Sequence, residues 1–217
     1  MAVLTGTTVG RKAILASTGI VLLGYVTLHM LANLKAFLGP ASLDGYARWL
    51  RGILEPALGH EGFLWLVRGF LIVCVVLHLV TATQLARRAH GARPVGYRHR
   101  APVRGGYAAR TMRWGGVIIG LFVVYHVLDL TTGTLNPNGM PGQTYRNVTA
   151  DFQHWYVVAA YTVAVVALGF HLRHGVWSGL RSLGFGGVSR AVALGYAVVI
   201  TVGFLSVPYA VFLGVIQ

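Results

Sequence analysis

The sequence predicts an all-α integral membrane protein: a single transmembrane domain, residues 1–217, formed as a bundle of five transmembrane helices. Of its 217 residues, 55% are hydrophobic and only 11% are charged, whereas about 25% of residues are charged in soluble proteins. The mean hydropathy is +0.65, so the chain is too apolar for a soluble domain or for a disordered one. The apolar residues form long uncharged runs without the period-2 alternation of barrel strands, which predicts helices.

Five uncharged runs approach or exceed the ~20 apolar residues that a helix needs to cross the hydrocarbon. They are residues 13–34, 69–86, 114–128, 152–172 and 191–217. The second run continues backwards past Arg68, and the third continues forwards past Asp129. With these extensions, the predicted helices span approximately residues 12–37, 62–88, 111–133, 151–177 and 190–215.

The first run follows Arg11 and Lys12 and therefore resembles the start of a signal peptide. It is longer than the apolar region of a signal peptide, and no small-residue cleavage site follows it. We therefore expect a retained first helix.

The charged residues between the runs predict the orientation of the bundle. Residues 87–113 contain no acid but many arginines: Arg87, Arg88, Arg93, Arg98, Arg100, Arg104, Arg110 and Arg113. Residues 173–190 contain Arg173, Arg181 and Arg190, again without an acid. The five acidic residues all lie in or beside the other two loops: Asp44, Glu55, Glu61, Asp129 and Asp151. Because cytoplasmic loops collect Lys and Arg, we expect the N-terminus in the cytoplasm and the C-terminus outside. The expected location of the protein is the cell inner (cytoplasmic) membrane.

The net charge of +13 is thus interpreted mainly as a topology signal. The basic residues would also provide a surface for docking a partner on the cytoplasmic face. Membrane lipid is expected around the spans, and no nucleic acid is expected as a partner.

Four histidines lie well inside predicted spans, each on a different helix: His29, His78, His126 and His171. Ionisable groups are rare at this depth, usually face the bundle interior and are functional by default. One such histidine is explained equally well by a hydrogen bond to a neighbouring helix, but four on four helices favour a functional role.

The four histidines fall at two depths. At about 1.5 Å per residue, His29 and His126 lie ~20–25 Å beyond the basic residues that precede their helices. His78 and His171 lie ~14–15 Å before the basic residues that end theirs. The sequence therefore predicts one pair in the outer half of the membrane and another in the inner half.

A pair of neutral imidazoles that face each other across a bundle core suits axial ligation of a haem iron. Two such haems, one at each depth, would form a path for electrons across the membrane.

Other interpretations use the same residues. A proton relay would normally include a mid-span acid, and transition-metal transport fits two separate levels poorly. The spacing of His171 and His174 places both rings on one helix face, where they could bind zinc. The single Cys74 excludes a disulfide or a cysteine-ligated cluster built from this chain alone. A transporter or membrane scaffold is the remaining non-redox alternative.

Four segments around these histidines resemble one known family. They are residues 25–35 around His29, His78 with Arg87-Arg88 and residues 92–97, residues 125–137 after His126, and residues 169–184 around His171. Together and in this order they resemble the cytochrome b558-type membrane anchor subunit of succinate dehydrogenase/fumarate reductase, in its single-chain, five-helix, dihaem form.

The resemblance implies an electron-transfer subunit that binds two haem b groups. His29 and His126 would hold the outer (distal) haem, and His78 and His171 the inner (proximal) one. A flavoprotein subunit and an iron–sulfur subunit would bind on the cytoplasmic face. Electrons from succinate would then reach a quinone, usually menaquinone in dihaem members, and the reverse direction would make the complex a fumarate reductase.

The resemblance also suggests further site residues. Ser17 and Arg181 are candidate donors to the propionates of the inner haem, although plain anchoring at the membrane interface explains them equally well. Glu55, Glu61 and Arg68, near the outer end of the second helix, are candidates for the quinone site. The alternative function is a dihaem cytochrome b anchor of another membrane oxidoreductase, of the hydrogenase or formate dehydrogenase type.

Some dihaem members have a glutamate on the fourth helix just before the ligand histidine. Here Gly169 and Phe170 occupy those positions. The resemblance therefore does not extend to a proton path through such a glutamate.

Overall fold

The computed structural model describes residues 6–91, 106–136, 138–184 and 189–217, without the side chains of residues 90 and 106–111. Over these residues the chain is helical and has no strand, which confirms the all-α prediction. Much of the predicted arginine-rich loop, with Arg93, Arg98, Arg100 and Arg104, lies outside the described residues, as does the side chain of Arg110.

The helices are numbered in chain order. They are α1 (Thr8–Asn33), α2 (Pro40–Gly52), α3 (Glu55–Leu58), α4 (Gly62–Gly91), α5 (Gly106–His126), α6 (Thr144–Asp151), α7 (Trp155–Ser182) and α8 (Arg190–Phe212). A 3₁₀ turn, Leu34–Leu38, extends α1, and a π-helical turn, Val127–Thr131, extends α5.

Five of these helices are long and apolar enough to cross a membrane, as predicted. The spans are Thr8–Leu38, Gly62–Ala89, Met112–Thr131, Trp155–Ser182 and Arg190–Phe212. Large apolar side chains on them are exposed, among them Trp65, Phe70 and Ile72. An apolar surface of this extent is typical of helices that face lipid.

The starts of two spans differ from the predicted starts because of local capping and an interruption of the helix before the fourth span. The first helix begins at Thr8 rather than near residue 12, since the Thr7 side chain accepts a hydrogen bond from the Gly10 amide at 3.0 Å and caps it. The fourth span begins at Trp155 rather than at residue 151, because Asp151 ends the separate helix α6.

Short helices cover one end of the bundle, and the sequence did not predict them. Gly39, at φ +83°, turns the chain into α2, with Pro40 in its first turn. The Asp44 carboxylate of α2 then accepts a hydrogen bond from the Tyr145 amide of α6 at 2.9 Å. We call the end formed by residues 39–61, 129–136 and 138–154 the acidic end, and the opposite end the arginine end.

Helix α7 packs against both α5 and α8, while α4 packs chiefly against α1. Gly169 of α7 lies close to the Thr201 side chain of α8, and Gly203 of α8 lies close to the Met30 side chain of α1. Small residues of this kind allow membrane helices to approach closely. The α1–α4 pair therefore faces the α5–α7 pair across the interior, and the intramembrane histidines lie along that boundary.

Candidate functional site

The first histidine pair joins α1 to the end of α5. The ring centroids of His29 and His126 are 5.7 Å apart, and the ring planes are inclined by 77°. Tyr25 stacks on His29 at 5.5 Å, and Phe122 stacks on His126 at 5.8 Å. The two imidazoles thus meet in an aromatic pocket that fixes their planes.

The second pair joins α4 to α7. The ring centroids of His78 and His171 are 6.3 Å apart, with the planes inclined by 58°. A Cβ atom on Gly19 of α1 would lie 3.4 Å from Cε1 of His78, so the glycine leaves room for this ring. A groove of about 300 Å³ between α5 and α7, lined in part by Gly115 and Ala167, reaches His171.

Hydrogen bonds define the protonated nitrogen in one histidine of each pair. Thr18 donates its hydroxyl to the Ile14 carbonyl at 2.8 Å, so its oxygen accepts from Nδ1–H of His78 at 3.2 Å. Tyr161 donates its hydroxyl to Asp129 at 3.1 Å, so its oxygen accepts from Nδ1–H of His126 at 3.1 Å. In both rings Nε2 then keeps its lone pair, which is the form that binds a metal ion.

The distances within the pairs fit a metal ion between the rings. A metal–imidazole bond is ~2 Å long and the bonded nitrogen lies ~1 Å from the ring centroid, so two rings on opposite sides of one ion have centroids ~6 Å apart. The observed separations are 5.7 and 6.3 Å. Nδ1 of His171 is buried and has no hydrogen-bond partner among the described residues, so this nitrogen does not serve as an interhelical link.

The histidines thus meet in two pairs on four helices. Within the described part of the chain, no group of three or more His, Cys, Asp or Glu side chains converges on a position for a metal ion. His174, the second member of the His171 spacing motif, contacts the ring of Trp177 at 6.3 Å.

The two candidate propionate donors lie in different surroundings. Ser17 is exposed, while the neighbouring Thr18 is buried and contacts His78. The guanidinium of Arg181 lies 5.0 Å above the ring of Trp177 at the arginine end. Of these two neighbouring hydroxyl groups, that of Thr18 contacts His78, and the sequence did not single it out.

The structure brings two of the three candidate quinone residues together. Glu61 forms ion pairs with Arg51 at 3.0 Å and with Arg68 at 3.5 Å, and Arg68 also lies 4.7 Å above the Trp65 ring. Glu55 instead lies 3.6 Å from His60. The resulting Arg51–Glu61–Arg68 cluster is at the acidic end, beside the start of α4.

A buried carboxyl pair was missed at the sequence level, where Asp129 and Asp151 served only as charge markers. Only 1% of Asp129 and 4% of Asp151 is exposed. Burial, with the charge of the neighbouring Asp129, raises the pKa of Asp151 to about 7. The position of Asp129 inside an apolar run, one turn after His126, is the sequence signal that could have revealed the pair.

Comparison with known proteins adds no assignment: no protein-family model, no curated protein and no solved structure matches the chain.

Proposed function

We propose that the chain is the membrane anchor and dihaem cytochrome b subunit of a succinate:quinone oxidoreductase. The observation that supports this most strongly is the meeting of four intramembrane histidines in two pairs, each pair at the separation expected for one metal ion. The resemblance of the four surrounding segments connects this arrangement to that complex.

In this proposal His29 and His126 hold one haem b, and His78 and His171 hold the other. When bound, the haems supply one-electron transfer between the two faces of the membrane. The other residues of the chain prepare the ligands. Thr18 and Tyr161 accept the Nδ1 protons, which orients the rings and directs Nε2 towards iron.

The partners follow from the charge at the two ends. Arg87, Arg88 and Arg173 are exposed at the arginine end, which is cytoplasmic if the positive-inside rule holds. The flavoprotein and iron–sulfur subunits would bind there. The quinone, menaquinone by resemblance, would bind at the acidic end near the cluster of Glu61 and Arg68.

Purification from detergent-solubilised membranes tests the assignment to this complex. A flavoprotein and an iron–sulfur protein should copurify, and the preparation should reduce a quinone with succinate. Copurification of a hydrogenase or formate dehydrogenase subunit would support the alternative cytochrome b anchor instead. A preparation without a low-spin haem b signal in its reduced-minus-oxidised spectrum would contradict both.

Single variants test the pairing. His78→Ala and His126→Ala should each remove a different haem, whereas His174→Ala, on the same helix as His171, should retain both. Loss of the same haem in the first two variants would show that the pairs are wrongly assigned.

A further inference from the structure

Two arginines from different helices lie against one tryptophan at the arginine end. The guanidinium of Arg181, near the end of α7, is 5.0 Å from the centroid of the Trp177 ring. The guanidinium of Arg190, the first residue of α8, is 4.8 Å from the same centroid. Both arginines are exposed, whereas the tryptophan is partly buried. The indole ring thus gathers two positive charges at the surface, where α7 ends and α8 begins.

The chain provides no acidic residue beside these charges. All five Asp and Glu residues of the sequence belong to the acidic end. Arg173, one helical turn before Trp177, is also exposed and adds a third positive charge to this part of α7. We call Arg173, Arg181 and Arg190, together with Trp177, the arginine cluster. An anion that neutralises the cluster must come from outside the chain.

The arginine cluster lies at the height of a membrane surface. The span formed by α7 ends at Ser182, and the span formed by α8 begins at Arg190. Trp177 is only five residues before the end of its span, which corresponds to ~8 Å along the helix. Tryptophan is enriched at this depth, where the hydrocarbon gives way to the lipid headgroups. The guanidinium groups are therefore within reach of the headgroups of one leaflet.

An apolar groove leads from the arginine cluster towards the membrane centre. It lies between α5 and α7 and has a volume of about 300 Å³. On α7 it is lined by Val163, Val166 and Phe170, which lie fourteen, eleven and seven residues before Trp177. Residues at these spacings share one face of a helix. Because 60% of Val163 and 39% of Val166 is exposed, the groove is open to lipid.

We propose that the arginine cluster and the groove together bind one phospholipid with a net negative headgroup, in the leaflet at the arginine end. The phosphate is held by the guanidinium groups of Arg181 and Arg190, and one acyl chain occupies the groove. Arginine binds phosphate through strong, often bidentate hydrogen bonds. Basic pockets between membrane helices are suited to anionic headgroups for this reason. The assignment does not depend on the function proposed above.

The groove favours a lipid over the other anions that could meet this surface. A carboxylate of a partner subunit, or a free phosphate ion, would neutralise the arginines but leave the apolar groove without an occupant. The family resemblance suggests a haem propionate as the partner of Arg181. The guanidinium of Arg181 is nevertheless on the exposed side of α7, against Trp177. A phospholipid matches both the charge at the surface and the apolar lining below it.

Lipid binding to the purified, delipidated complex tests the role of the arginines. Native mass spectrometry with added lipid compares phosphatidylglycerol with phosphatidylcholine of identical acyl chains. Phosphatidylglycerol should bind more tightly. Arg181→Gln and Arg190→Gln should each lower its affinity ~5-fold, which is the contribution of one arginine near a membrane surface. Arg146→Gln, which changes an exposed arginine at the acidic end, should leave the affinity unchanged.

A second pair of variants tests the groove. Val166→Phe adds bulk to a position that lines the groove. It should lower the affinity for the long-chain phosphatidylglycerol but not for its dihexanoyl analogue, whose chains are too short to extend along the groove. Val199→Phe is the matched control, since Val199 is an exposed valine of α8 and the groove lies between α5 and α7. This control should affect neither lipid.

Several outcomes would overturn the inference. Equal affinities for the two headgroups, or an unchanged affinity in both arginine variants, would show that the cluster does not recognise an anionic lipid. Competition by inorganic phosphate at the concentration of the lipid would indicate a site for a free anion. With lipid affinity unchanged, loss of a partner subunit from Arg181→Gln would indicate a protein interface, and loss of haem would indicate a propionate donor.

Discussion

Tyr161→Phe should destabilise the protein although it removes a single oxygen atom. The tyrosine hydroxyl accepts from His126 and donates to Asp129. Its ring packs edge-to-face against Phe122 and Phe152, with both centroid distances at 4.8 Å. Phenylalanine preserves those ring contacts, so the substitution isolates the two hydrogen bonds.

The magnitude follows from the burial of the two partners. Loss of the hydroxyl leaves Nδ1–H of His126 and one oxygen of Asp129 without this partner. A buried polar group without its hydrogen bond costs ~1–3 kcal/mol, and more when it is charged. We therefore expect a loss of ~2–4 kcal/mol in the free energy of unfolding.

The assay is unfolding in mixed micelles, followed by circular dichroism, with Tyr209→Phe as the matched control. The Tyr209 hydroxyl contacts Thr162 at 3.2 Å, but 40% of Tyr209 is exposed. Its loss should change the stability by less than ~0.5 kcal/mol. Equal stabilities of the two variants, together with unchanged haem content, would refute the role given to the Tyr161 hydroxyl.

Three further substitutions test the sites separately. The pKa of Asp151 in the folded protein is about 7, which is above the ~3.9 of an unfolded aspartate. The stabilising contribution of this carboxyl group is therefore fully present below pH ~4 and is lost as the pH rises through about 7. Asp151→Asn should remove this slope from chemical-denaturation titrations, and a slope that persists would contradict it. Thr18→Val removes the acceptor for Nδ1–H of His78 and should weaken binding of the inner haem ~10–100-fold in a haem titration. The control Ser17→Ala should leave that affinity unchanged. Equal effects of the two variants would argue against the hydrogen bond. Gly19→Val adds atoms beside His78, where a Cβ already comes to 3.4 Å, and should reduce inner haem content while the outer haem remains; full occupancy of both sites would disprove the close contact.

The bundle itself could be predicted because its determinants are local. Long uncharged runs define the spans without any knowledge of their neighbours. The distance of each histidine from the charged end of its own helix also predicts its depth. The structure accordingly brings His29 to His126 and His78 to His171.

The parts that were missed depend on contacts between distant segments. Helix α6 is short and polar, so no apolar run predicts it, and its position follows from packing on α2. The bond between Tyr161 and Asp129 joins residues on two elements, and several tyrosines could have supplied it. The rotation of α1 about its axis decides that Thr18, and not Ser17, faces His78. Charge and hydropathy patterns do not define that rotation to within one residue.

The amount of haem bound per chain is the quantity on which the proposed function depends. Haem extraction and a pyridine haemochrome assay, combined with a protein determination, measure it on the purified complex. Two haem b per chain are expected in the wild type, and one in each of His78→Ala and His126→Ala, with different spectra. No haem in the wild type, or one haem that both variants remove, would contradict a dihaem cytochrome built on two histidine pairs.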